Sequence, residues 1–78
     1  MSNYTYEMTL LGFVKDYLDN TQQIAVYNYR DVNTVLYEGK ARNLEHSCDE
    51  SILSSRIKAV NAFSDYAGIL IIDVVLTR

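Results

Sequence analysis

The fold is decided by residues 69 to 76, Ile69-Leu70-Ile71-Ile72-Asp73-Val74-Val75-Leu76. Successive side chains of a β-strand point to opposite faces, so a strand with one face in water alternates apolar and polar residues. Only Asp73 interrupts the run here, which makes both faces of the strand apolar. Because 78 residues offer few side chains to cover two apolar faces, we expect one face to be covered by another copy of the chain.

The face that carries Ile69, Ile71 and Val75 is the expected oligomer interface, together with Tyr27 and Tyr29. A contiguous apolar face of this kind is rarely exposed by a monomer. Asp73 is on the same face, where an unpaired carboxylate is costly. We therefore expect Asp73 to face an edge or to pair with Lys58 or Arg56 on the neighbouring strand.

Size and composition restrict the ways in which the chain gains stability. A single domain over residues 1–78 buries only roughly 60 to 65% of the surface exposed in the unfolded chain. Small domains commonly add disulfides, a metal or oligomerisation. The only cysteine is Cys48 and the only histidine is His46, so an internal disulfide is excluded and a metal site within one chain is disfavoured. Oligomerisation is the remaining device, and we expect a homodimer or higher assembly.

The charge balance argues against nucleic-acid binding. The formal net charge is -3, with ten acidic and seven basic residues, and this lacks the basic footprint that phosphate backbones require. The beginning of the chain has no basic region followed by an apolar stretch, and no apolar run reaches the roughly 18 to 20 residues of a membrane span. We expect a cytoplasmic protein that binds no membrane.

One amphipathic helix is predicted near the beginning of the chain. Its apolar residues recur at helical spacing: Leu10, Leu11, Val14, Tyr17 and Leu18. Thr9 or Thr5 is the expected N-cap, and the polar residues 19–21 end the helix. The preceding segment, residues 3–8, fits an edge strand, an earlier helical turn or an arm, so residues 1–7 are a possible arm or extra edge strand.

Four further segments rich in β-branched and aromatic residues predict strands. Residues 23–29 and 34–41 form one hairpin, and residues 56–63 and 69–76 form a second. Residues 42–55 are mostly polar and predict a short helix or turn, with Ser47 and Glu50 at capping-box spacing. Gly39 marks a bulge or a close approach. The predicted fold is α+β, with one N-terminal amphipathic helix packed on one face of a roughly four-stranded antiparallel sheet made of two hairpins.

Few side chains of the chain are suited to catalysis. His46 and Cys48 adjoin Asp49 and Glu50, but adjacency in a loop does not provide the geometry of a nucleophile and its base. Zinc would need ligands from a second chain to reach four. We expect no catalytic residue, no metal and no cofactor, and we expect that the protein is not an enzyme.

Two short basic clusters suggest a second kind of site. Lys40 and Arg42 end one strand, and Arg56 and Lys58 begin another. If these strands are close together, the four cations and nearby tyrosines could bind a small anion or a nucleotide. The alternative is that they are solvated charges on strand edges, which discourage aggregation.

Tyrosine is the main compositional excess, with seven in 78 residues. Tyrosine combines a large apolar area with a polar tip and is common at the centres of interfaces. Most of the seven are expected in the core and at its rim. The exceptions, on a terminus and a turn, are the expected partner surface: Tyr4, Tyr6 and Tyr66.

Four segments together resemble a small uncharacterised protein family of Firmicutes phages and mobile elements. They are the leucine-rich helix at 10–20, Ile24-Ala25-Val26-Tyr27, Leu36-Tyr37-Glu38-Gly39-Lys40-Ala41 and the aliphatic strand from Ile69 to Val74. The resemblance covers residues 8 to 75, and the residues before Met8 depart from it. It implies a setting of phage and host conflict and carries no activity that can be transferred residue by residue.

In that setting, compact acidic proteins without catalytic residues commonly occupy the surface of a host defence protein. The leading expectation is therefore a non-enzymatic, homo-oligomeric inhibitor that binds a host protein, of the anti-CRISPR kind. An alternative is an oligomer that sequesters an anionic signalling nucleotide. A structural component of a phage is a third.

Overall fold

A computed structural model describes residues 8–78. In chain order its elements are helix α1 (Leu10–Tyr17), strands β1 (Gln23–Asn28) and β2 (Asp31–Lys40), a 3-10 turn (Ala41–Asn43), helices α2 (Leu44–Ser47) and α3 (Glu50–Leu53), and strands β3 (Ile57–Ser64) and β4 (Leu70–Leu76). The possible arm or edge strand at residues 1–7, with Tyr4 and Tyr6, is outside the described residues.

Helix α1 forms where the apolar spacing predicts it. The hydroxyl of Thr9 caps it and accepts a hydrogen bond of 3.1 Å from the backbone N–H of Gly12. Leu10 and Val14 are buried on the side that faces the sheet. The helix ends at Tyr17, and its C-cap residue, Leu18, has extended backbone geometry. The predicted helix and its Thr9 cap are confirmed.

The four strands form one sheet in the order β2-β1-β4-β3. Strand β1 is antiparallel to β2, and β3 is antiparallel to β4, so both predicted hairpins are confirmed. Strands β1 and β4 are parallel neighbours at the centre of the sheet. The prediction of an antiparallel sheet is therefore wrong: the sheet is mixed, and the fold is α+β.

The path of residues 41–56 explains the mixed topology. This connection leaves β2 at one edge of the sheet and reaches β3 at the other edge. Its short helices α2 and α3 bury Leu44 and Leu53 in the same core as α1. Because β3 begins at the far edge, β4 returns into the centre, where it is paired on both sides. Central strands with a parallel neighbour commonly have continuous apolar sequences.

The caps of the short helices differ from the expected capping box. Ser47 ends α2, and Asp49 caps α3 by accepting a 3.1 Å hydrogen bond from the backbone N–H of Ile52. The Ser47 and Glu50 pair therefore does not form a capping box. Asp49 precedes the helix directly and provides a carboxylate acceptor at the correct position.

The core lies between the three helices and one face of the sheet. The helices contribute four buried residues, and the central strands contribute the alternate residues of β1 and β4, which are Ile24, Val26, Val74 and Leu76. On the same side, Gly39 is opposite Ile24 in the β1–β2 ladder and close to the ring of Tyr37. The close approach predicted for Gly39 is thus correct, whereas the irregularity in this ladder follows Val26.

Candidate interaction surface

The face of the sheet opposite the helices is the candidate site, and we call it the open face. Its members alternate with the core residues along each strand and are aligned by the register of the ladders. No helix or strand in residues 8–78 packs over this face. The open face comprises Val35, Glu38 and Lys40 of β2, Gln23, Ala25 and Tyr27 of β1, Ile71, Asp73 and Val75 of β4, and Ala59, Asn61 and Phe63 of β3.

One apolar row of the open face is continuous across the sheet, and the row with Asp73 and Asn61 separates it from a second apolar pair. Tyr27 pairs with Val75 across the parallel ladder, and Val35 and Ala59 extend this row to the two edges. In a second row, Ile71 pairs with Phe63, which is 46% exposed. Tyr27, Ile71 and Val75 are only partly exposed, because neighbouring side chains cover part of each.

Asp73 is at the centre of the open face. Its neighbours across the two ladders are Ala25 and Asn61, and neither bears a charge. Among residues 8–78, the oxygen Oδ1 is excluded from solvent and accepts no hydrogen bond. The expected ion pair with Lys58 or Arg56 is therefore wrong. The register places Asn61 opposite Asp73 and leaves Lys58 in the irregular segment between Ile57 and Ala59.

The electrostatics of the open face follow from this placement. Burial raises the pKa of the Asp73 carboxyl above its ordinary value, and the charge of Glu38, opposite Ala25, raises it further. Burial also raises the pKa of Tyr27, and the charges of Asp73 and Glu38 add to that effect. The centre of the face thus disfavours negative charge, although it carries two carboxylates.

Replacing Asp73 by Asn should raise the free energy of unfolding at neutral pH by about 1 kcal/mol, because an unpaired carboxylate is then removed from a partly buried position. In the wild type, the folded-state pKa of Asp73 is raised. The raised pKa therefore lowers the free energy of unfolding of the wild type as pH rises from the unfolded-state pKa, about 3.9, through the folded-state pKa. Urea unfolding at fixed protein concentration across this pH range measures the difference.

The difference in free energy of unfolding between Asp73→Asn and the wild type should vanish below the unfolded-state pKa and grow as pH rises. The exposed Asp16 on α1 provides the matched control, since Asp16→Asn removes a carboxylate from the surface of the helix. A loss of stability in Asp73→Asn at neutral pH would show that the carboxylate has a stabilising partner.

The two basic clusters are at opposite corners of the sheet. Lys40 and Arg42 are at the end of β2 on one edge, and Arg56 and Lys58 are at the start of β3 on the other. Tyr37, one of the tyrosines expected near an anion, is buried on the core side, and its hydroxyl donates a 2.6 Å hydrogen bond to a backbone carbonyl. One chain therefore does not bring the four cations together.

Lys58 instead contacts an aromatic ring. Its ammonium nitrogen is 4.2 Å from the centroid of the Tyr29 ring. This arrangement gives a cation–π interaction at the end of the sheet. It places the exposed Tyr29 beside the open face, near the end of the apolar row formed by Tyr27 and Val75.

The only thiol, Cys48, follows helix α2, which carries the only imidazole, His46. Burial raises the pKa of the Cys48 thiol, and the charge of Asp49 adds to this rise, so less of the reactive thiolate forms. His46 is exposed at the surface of α2. Within residues 8–78, no group of three or more His, Cys, Asp or Glu side chains is placed to hold a metal ion.

The remaining predicted surface residues are distributed as follows. Ile69 is 52% exposed just before β4, and Tyr66 is fully exposed in the turn between β3 and β4. Sequence reasoning missed Val35 and Phe63 as members of the open face. Strict alternation along residues 57–63 would put Phe63 on the same face as Ile57. The irregularity after Ile57 turns the two side chains to opposite faces, and alternation alone gives no signal of such a shift.

Comparisons of the chain with protein-family models, with curated proteins and with solved structures find no match in any of the three. The resemblance to small phage proteins therefore stays a prediction. In the described part of the chain, every helix is too short or too polar to cross a membrane.

Proposed function

We propose that this protein is a non-enzymatic binding protein that associates with itself through the open face. One observation carries the proposal: Tyr27 pairs with Val75 on a sheet face that no described element covers, and Ile71 lies on the same face beyond Asp73. Burying such a row removes apolar surface from water and stabilises the contact by roughly 25 cal/mol per Å². The predicted interface residues Ile69 and Tyr29 are at its margins.

A second copy is the occupant that fits the shape and charge of this face. A small ligand needs a concave site, whereas the depression bounded by Tyr27, Val32, Asp73 and Val75 is shallow and open. The face also carries charges of both signs, with Glu38 and Asp73 towards the centre and Lys40 at a corner. In two copies related by a two-fold axis, Glu38 or Asp73 of one copy can therefore lie opposite Lys40 of the other.

The wider role that we propose is inhibition of a host protein in the cytoplasm of the host cell, as expected for an anti-defence protein of a phage or mobile element. The support is indirect. Tyr66 is fully exposed in a turn at the end of the sheet, so it stays accessible when the open face is covered. Exposed tyrosine is a common anchor of protein interfaces.

The mass of the protein in solution tests self-association. Light scattering after size exclusion should give more than one chain for the wild type at tens of micromolar. Val75→Lys places an unpaired charge in the apolar row and should lower the mass. Asn43→Lys adds the same charge on the helical side, where the Asn43 side chain makes no capping hydrogen bond, and should leave the mass unchanged. Equal masses for all three proteins would refute the proposed interface.

The same run tests the alternative of nucleotide sequestration. The chain has seven tyrosines and no tryptophan, so it absorbs weakly at 280 nm and a bound nucleotide adds a clear excess near 260 nm. A plain tyrosine spectrum favours the protein-binding proposal.

Capture from host lysate then tests the inhibitory role. A host protein bound by the wild type and by Asn43→Lys should be lost with Tyr66→Ser, because this change removes only an exposed ring. Retention of the same protein by Tyr66→Ser would contradict the role of that turn.

A further inference from the structure

A polar row, which we call the acidic row, separates the apolar row of the open face from its second apolar pair. Its members, paired in register from β2 to β3, are Glu38, Ala25, Asp73 and Asn61. The apolar row that contains Val75 lies on one side of it, and the pair of Ile71 and Phe63 lies on the other. A second copy that covers both apolar parts of the face therefore also covers the acidic row.

The charges of the open face do not balance when two copies meet. Within residues 8–78, the face of one copy carries two carboxylates, Glu38 and Asp73, and one ammonium group, that of Lys40. Lys40 is two positions after Glu38 on β2, so the two side chains lie on the same face. Two copies bring together four carboxylates and two lysines. Two carboxylates therefore remain without an opposite charge.

The surroundings of Asp73 place the excess there. Across the β3–β4 ladder it is opposite the uncharged Asn61, and the helices lie on the other side of the sheet. Lys58 of β3 is held over the ring of Tyr29 at the margin of the face. Among the described residues, the titratable side chains on the same face as Asp73 are Tyr27 of β1 and Glu38 and Lys40 of β2.

Covering the acidic row changes the protonation of its carboxylates. In the single chain Glu38 is exposed and Asp73 is half-buried. Burial already raises the pKa of Asp73, and the charge of Glu38 raises it further. A second copy removes more water, and carboxylates that are buried near one another take up protons because like charges in a shared site disfavour ionisation. The assembly therefore binds more protons than the separate chains.

We propose that the acidic row makes self-association proton-dependent, so that the assembly tightens as pH falls. This inference rests on the self-association proposed above and names how it is regulated. The sign follows from the order of the two pKa values, since that of Asp73 is higher in the assembly than in the separate chain. Association is tightest below the lower pKa and weakens as pH rises towards the higher one. The dissociation constant changes by up to about tenfold per pH unit for each proton taken up.

The pH dependence of the dissociation constant tests the proposal in the full chain. Sedimentation equilibrium from about pH 4.5 to about pH 8 covers the range in which raised carboxyl groups titrate, and circular dichroism identifies where the fold is kept. The constant of the wild type should rise with pH. Asp73→Asn removes the excess carboxylate, so it should associate more tightly than the wild type near neutral pH and depend less on pH.

Two further variants separate the acidic row from other charges. Asp16→Asn removes an exposed carboxylate on α1 and should keep the pH dependence of the wild type, which includes any contribution of His46. Lys40→Gln removes the cation of the open face and should weaken association near neutral pH. Tighter association of Lys40→Gln would contradict the count of charges.

The outcomes distinguish this inference from the proposed interface. An assembly that Val75→Lys disrupts, but that pH does not affect or that tightens as pH rises, would overturn the proton dependence alone. A pH dependence that is unchanged in Asp73→Asn would overturn it equally. A mass of one chain at every pH, for the wild type and for Asp73→Asn, would refute the self-association itself.

Discussion

Leu76→Ala should lower the free energy of unfolding by about 2–5 kcal/mol, the range measured for truncation of large buried side chains. Leu76 is fully buried at the end of β4 and is opposite Ile57 in the β3–β4 ladder. Its removal leaves a cavity between the central strand and the far edge of the sheet. Because domains of this size have only about 4–12 kcal/mol of total stability, a large share of it should be lost.

Leu70→Ala provides the matched control on the same strand. Leu70 is 48% exposed at the other end of β4, so its truncation removes less apolar contact and leaves no enclosed cavity. We expect a loss below about 1 kcal/mol. Urea unfolding followed by circular dichroism, at one protein concentration, compares the two variants. Similar losses would contradict the placement of the end of β4 in the core.

Gly39→Ala should also be strongly destabilising, by about 2–4 kcal/mol, for two reasons. The φ angle of Gly39 is 154°, a conformation that residues with a Cβ adopt only with strain of about 1–3 kcal/mol. A Cβ at this position would in addition lie 2.9 Å from the hydroxyl oxygen of Tyr37. The Tyr37 hydroxyl is held in place by its hydrogen bond to the carbonyl of Lys40, so it cannot move away freely.

Two comparisons separate the contributions at Gly39. Gly68 has a φ of 80° but no atom within 4 Å of its Cβ position, so Gly68→Ala carries backbone strain alone and should cost about 1–2 kcal/mol. In a Tyr37→Phe background the close oxygen is absent, and Gly39→Ala should cost less than in the wild type. Thermal or urea unfolding gives the three costs, with Tyr37→Phe alone as the reference for the double variant. An undiminished cost in that background would show that Tyr37 does not constrain Gly39.

Local elements of the fold were predictable because their signals are local. The spacing of Leu10 and Val14 fixes the buried side of α1, and Thr9 provides its cap. Each hairpin joins strands that are adjacent in sequence. The order of the two hairpins in the sheet was not predictable, because it depends on where Leu44 and Leu53, in the long connection between the hairpins, pack against the core. No local pattern specifies that path.

The candidate surface was predictable only in part, for a related reason. Alternation along β4 correctly separates Ile71 and Val75 from the core residues Ile72 and Val74. The surroundings of Asp73 depend on which residue of β3 is opposite, and an irregularity after Ile57 changes that register. A shift by one residue exchanges the two faces of a strand, so sequence alternation alone could not exclude an ion pair with Lys58.

The central claim is that the chain buries its open face against another copy. The most direct measurement is the molar mass of the wild-type protein by light scattering during size exclusion at tens of micromolar, with the ultraviolet spectrum recorded in the same run. We predict a mass of two or more chains with a plain tyrosine spectrum, and a lower mass for Val75→Lys. A monodisperse monomer would contradict the claim.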